Sequence, residues 1–167
     1  MKFKRILTTV GLTILVASCV SLEPATFTKN GEIRDYKYIH ISQTTSLTSG
    51  SGESINGQYY STNKSVNPRD VISGILAKEG FILMQELKNE LSSETLIATY
   101  GESGQRTVLG GLGGYTTEVT IQFISSGTNS LISSCTAEGI GDTEADDIRK
   151  AITRCLNSVL SNKTERR

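Results

Sequence analysis

Chemistry at neutral pH calls for a nucleophile beside a base, paired carboxylates in a pocket, or a set of metal ligands. The side chains able to supply these are few here: one histidine and three cysteines in 167 residues. His40 follows Tyr36, Lys37, Tyr38 and Ile39 in an alternating run, which predicts a packed or surface ring on a strand. No Gly-x-Ser-x-Gly elbow lies between a predicted strand and a predicted helix. Asp142, Glu144, Asp146 and Asp147 cluster, but without the glycine and distal glutamate of a calcium loop; helix capping accounts for them. The run Gly110-Gly111-Leu112-Gly113-Gly114 invites a phosphate cradle, yet such loops feed a helix amino terminus and carry a lysine or strict glycine spacing. Here Tyr115 and Thr116 lead into a strand, so the loop reads as a hairpin connection. Cys135 and Cys155, with one distant histidine, fall short of a zinc set. The residues therefore predict no metal, no cofactor and no catalytic centre.

The third cysteine lies behind a leader. Lys2, Lys4 and Arg5 precede the apolar run Ile6 to Val16, which is the charge-then-apolar order of an export signal. The run is shorter than the roughly 20 residues needed to span a bilayer, so the segment is expected to be removed. Leu15-Val16-Ala17-Ser18-Cys19 resembles the lipobox of bacterial lipoproteins. That resemblance implies diacylation of the Cys19 sulfur and cleavage before it, and two acyl chains anchor stably where one does not. Val20 and Ser21 follow, with no Asp beside the lipid, which by resemblance to enterobacterial sorting implies the outer membrane, facing the periplasm, with the cell surface as the alternative.

Loss of residues 1–18 removes three of 17 Lys and Arg and none of 17 Asp and Glu, leaving 14 against 17 and a net charge of −3. Phosphate backbones demand a basic face, so no nucleic-acid partner is expected. The remaining 149 residues suit one domain. The expected organisation is a signal peptide at 1–18, a lipidated tether at 19–32, a single domain at 33–162 and a charged tail at 163–167.

Period and punctuation then place the elements. A strand is expected over Ile33 to Ser42. Residues 43–66, rich in Ser, Thr, Gly and Asn, read as a loop, or else Ile55 to Tyr60 adds an edge strand. Asn67 caps a helix with Pro68 at its first position and Gly80 at its stop, and Val71, Ile72, Ile75 and Leu76 form its apolar stripe. Strands follow at Phe81 to Met84 and Thr95 to Tyr100. Thr117 to Ile124 turns through residues 126–129 into Leu131 to Glu138. Thr143, with Asp146 three residues on, starts the last helix, whose apolar face carries Ala145, Ile148, Ile152, Cys155, Leu156 and Val159. Cys135 and Cys155 thus face inward. They read either as a disulfide, closing about 20 residues and worth roughly 3 kcal/mol, or as two buried thiols.

The order of strand, helix, strands, hairpin and helix, with Ala77-Lys78-Glu79-Gly80-Phe81 closing the first helix, resembles small lipoproteins of unknown function from Gram-negative envelopes, over about residues 33–160. The chain departs from that pattern in having no tryptophan. The resemblance implies an α+β fold, a mainly antiparallel sheet with two helices on one face. Lipoproteins that assist envelope assembly use similar modules, but fold-level likeness does not establish function. Two functional readings follow. One is a noncatalytic binding or assembly module, held to the bilayer by acylated Cys19 and meeting an envelope protein or glycan through a sheet edge or through Tyr36, Tyr38, Tyr59 and Tyr60. The other is an envelope hydrolase with a site around His40, which requires a hydroxyl or carboxylate within hydrogen-bond reach of the ring.

Overall fold

The computed structural model describes residues 22–108 and 114–161. The leader, Cys19, most of the glycine-rich loop and the charged tail lie outside them. The described chain is α+β and mainly sheet. Strands β1 (Thr26–Lys29), β2 (Tyr38–Ile41), β3 (Leu47–Ile55) and β4 (Gln58–Val66) precede helix α1 (Pro68–Lys78). Then come β5 (Ile82–Met84), β6 (Thr95–Thr107), β7 (Tyr115–Ser125), β8 (Leu131–Gly139) and helix α2 (Glu144–Leu160). Six strands form one sheet in the order β1-β8-β7-β6-β2-β5, and β3 and β4 form a separate two-stranded ribbon.

The core lies between one face of the six-stranded sheet and the two helices, which also touch each other. Val119, Ile121 and Phe123 of β7 point into it, as do Leu96 and Ala98 of β6 and Ile39 and Ile41 of β2. The opposite face is mixed, with polar residues over the middle of β7 and β8 and Ile97 opposite Ile124 nearer β2. Thr120 and Thr136 hydrogen-bond across β7 and β8 at 2.8 Å, the pattern of a sheet with one face toward water. Both helices start as the sequence predicts. The Asn67 side chain accepts from the Arg69 amide, Gly80 has φ +93° after α1, and Thr143 accepts from the Asp146 amide. Among the described residues no helix is long and apolar enough to cross a membrane.

Four local expectations change. Residues 26–29, expected within the tether, form β1 on the edge of β8; their side chains are exposed, so no burial pattern could announce a strand that exists through backbone pairing. The expected strand from Ile33 begins instead with a 3-10 turn, Ile33–Asp35, that drops Ile33 into the core. The expected loop over 43–66 is the nine-rung β3–β4 ribbon. Its turn is Asn56-Gly57, both with positive φ, the two-residue turn that matches strand twist. Last, the sheet is antiparallel only from β1 through β8 and β7 to β6; β2 runs parallel to both β6 and β5. The crossover from β2 to β5 passes through the ribbon and α1, long enough to return the chain in the same direction.

Candidate functional site

Strand β2 brings Tyr38 and His40 onto the face of the sheet away from the helices and Ile39 and Ile41 into the core, because successive strand residues alternate sides. β5 lies beside it in register, Tyr38 opposite Ile82 and His40 opposite Met84. β5 ends the sheet, so one of its edges carries no partner strand among the described residues. Ile82, 46% exposed, and Leu83, 38% exposed, leave apolar surface on both sides of that edge.

Two shallow cavities flank the strand. The one on the Tyr38 side, about 400 Å³, runs from Tyr38 and Ile82 to Leu91. The one on the helix side, about 350 Å³, runs from Ile39 and Leu83 to Asn67 and Arg69. Arg69 donates to Gln85 at 3.1 Å and fixes the chain leaving β5. Lys37 places its ammonium 5.3 Å from the centroid of the Tyr38 ring, a cation–π distance. The arrangement suits a guest that is extended and partly apolar: backbone groups along an open edge, with a pocket on each side for alternate side chains.

No protein-family model matches this chain, and no curated protein matches it. Among solved structures it is similar to a PelC dodecamer from Paraburkholderia phytofirmans, at 12% identity and a TM-score of 0.47, over 83% of this chain and 97% of that one. A single-residue variant of that dodecamer, in another crystal form, gives the same identity and TM-score over 82% and 93%. A likeness of that size assigns neither family nor function.

His40 places Nδ1 3.2 Å from the Met84 carbonyl oxygen. Among the described residues, no hydroxyl or carboxylate is hydrogen-bonded to the ring, so this geometry lends a His40 hydrolase no support. The four tyrosines are not brought together. Tyr36 packs against the core near the end of α1 and Tyr38 lines the β5 cavity, whereas Tyr59 and Tyr60 stand exposed on the ribbon. Two members of the acidic cluster share Lys64, Asp146 at 2.5 Å and Asp142 at 3.8 Å, whereas Asp147 is buried. Among the described residues, no three His, Cys, Asp or Glu side chains could hold a metal ion. Cys135 and Cys155 are joined in a disulfide that staples α2 to β8.

Two features escaped the sequence reading. The apolar run before Gln85 is legible as a strand, but nothing local says that it ends the sheet. The second is a polar clamp. Arg106 donates to both carboxylate oxygens of Glu138, at 2.8 and 2.7 Å, and the Glu23 amide donates to the same carboxylate at 2.9 Å. Thr116 adds a bond at 3.3 Å. Arg154 donates to the backbone carbonyls of Glu138 and Glu23. The bonds to the carboxylate, from Arg106 foremost and then from the Glu23 amide and Thr116, hold the Glu138 carboxyl down at about 2 against the burial that would raise it. These partners are separated by as many as 131 residues, and spacing along the chain cannot show them.

Proposed function

We propose that the chain is a noncatalytic module of the bacterial envelope, anchored through acylated Cys19, that holds an envelope protein at its β5 edge. The leader and the lipobox-like run before Cys19 support the anchor. One observation carries the binding role: among the described residues β5 is an unpaired apolar edge with a cavity on either side. Exposed sheet edges invite added strands, and proteins normally blunt them with charge, proline or a bulge. Ile82-Leu83-Met84 has none of these. An extended segment from an envelope protein would complete the sheet and cover Ile82 and Leu83.

The test places a photocrosslinking residue at Leu83 in the full-length protein in growing cells, with Thr128 in the β7–β8 turn as the control. A discrete adduct at position 83, absent at 128, is expected, and Ile82→Lys in the same chain should abolish it. Equal crosslinking at both positions, or none at 83, would overturn the edge as a docking site. Mass spectrometry of the processed protein tests the anchor separately. Loss of residues 1–18 with fatty acid on Cys19 is expected, and an acyl-free amino terminus defeats that half of the reading.

A further inference from the structure

The clamp on Glu23 bears on how the module meets its membrane. Cys19 precedes Glu23 by four residues, and a fully extended chain covers at most about 14 Å over that span. Glu23 is fixed to the body: its amide donates to Glu138, its carbonyl accepts from Arg154 at 2.7 Å, and its carboxylate lies 4.0 Å from Arg106. A lipid on Cys19 is therefore leashed to one end of the folded body.

That end has a definite composition. Arg106, opposite Thr116, is one rung from the last rung of the β6–β7 hairpin, Thr107 opposite Tyr115, and Tyr115 is 61% exposed. The β3–β4 ribbon points the same way. Its contacts climb α2 toward the amino terminus of that helix, from Arg149 on the Ser65 carbonyl to Asp146 on Lys64 and the Ala145 amide on Ser49. Gln105 donates to Glu144 at 3.0 Å and so joins that helix end to the β6–β7 hairpin. Beyond the rung Ser49–Lys64 the ribbon continues for six more rungs, about 20 Å of strand. Residues 50–63 contain one charged residue, Glu53, and expose Ile55, Tyr59 and Tyr60. A two-stranded ribbon with no third strand is marginal in water, and tyrosines at such a tip match the aromatic belts of membrane interfaces, apolar in body and polar at the end.

We propose that this end of the molecule rests on the lipid surface that holds acylated Cys19, with the β3–β4 ribbon and Tyr115 in the headgroup layer. The proposal rests on the anchored reading above and gives that anchor an orientation. The β5 edge then faces away, because β5 and β2 are level with the first rungs of β6, where Tyr38 lies opposite Thr95.

The chain has no tryptophan, so single indoles report position cleanly. Tyr59→Trp, Tyr115→Trp and the control Thr128→Trp are made in the full-length gene product and purified as the processed, acylated protein. Each is placed in vesicles of phosphatidylethanolamine and phosphatidylglycerol, with and without bromine near the headgroup end of the acyl chains. About twofold quenching by bromine is expected at positions 59 and 115, as for aromatic side chains at an interface, with none at 128. In protein that floats with the vesicles, quenching at neither 59 nor 115, or equal quenching at all three, overturns the orientation and leaves the anchor standing. Quenching at 115 alone overturns the placement of the ribbon. Protein that carries no fatty acid and does not float overturns the anchor and, with it, this proposal.

Discussion

Asp147 shows how one position around a helix separates a cap from a core group. Asp146 points to Lys64 and the Thr143 hydroxyl, as a first-turn acid should. Asp147, turned by about 100°, places its carboxyl beside Gly141 in the β8–α2 connection and is only 6% exposed. Its Oδ1 has no hydrogen-bond partner. Burial pushes its carboxyl up from 3.8 to about 6, although the Gly141 amide and Lys150 oppose the rise. A carboxyl whose folded pKa is raised favours the native state while protonated, so this contribution is full below about 3.8 and lost as pH rises through about 6. Asp147→Asn keeps an acceptor and removes the charge. At pH 7 it should raise stability by about 1–3 kcal/mol, and the gain should shrink toward zero near pH 4. Urea unfolding at the two pH values checks this. The acidic cluster was legible as a cap because capping is local. The burial of Asp147 was not, because it depends on how the β8–α2 connection at Gly141 folds over the helix.

At the scale of elements, α2 packs closely against β8. Gly139 has no side chain because the α2 backbone occupies its space: a Cβ there would collide with the Asp147 carbonyl and the Ala151 amide. The disulfide between Cys135 and Cys155 fastens the same pair of elements. Its loop, set by a separation of 20 residues, corresponds to roughly 3 kcal/mol in the chain-entropy view. The double variant Cys135→Ala, Cys155→Ala should lose about that much in chemical denaturation. Reductant should lower the stability of the parent protein but not of the variant. The inward placement of both cysteines followed from strand and helix periods. Whether their sulfurs meet depends on the helix lying over β8 in one register. The ribbon offers the opposite lesson, because Asn56-Gly57 is a strong turn signal that the polar composition around it obscured.

The whole molecule has one end where Glu138 holds Glu23 and an opposite end where, among the described residues, β5 leaves the sheet open. Arg106 keeps the Glu138 carboxyl low, at about 2 against an ordinary 4.5. A depressed carboxyl contributes stability above its unfolded pKa, and that contribution is lost as pH falls from about 4.5 through about 2. The parent protein should therefore lose about 1–3 kcal/mol more than Glu138→Gln across that window. The protection factor of the Glu23 amide, its exchange measured against the intrinsic rate at each pH, should fall over the same window in the parent. The sequence by itself determined what is local: a charged and apolar leader, a lipobox-like run before Cys19, two capped amphipathic helices and the alternation of β7 and β8, each written in neighbours a few residues apart. Only the tertiary structure decided that β1 pairs with β8, that β2 runs parallel to β5 and β6, that β5 ends the sheet, and that Glu23 is clamped beside the β6–β7 hairpin. Those features arise from backbone pairing and from charges that meet across the fold, and neither leaves a periodic mark on the chain.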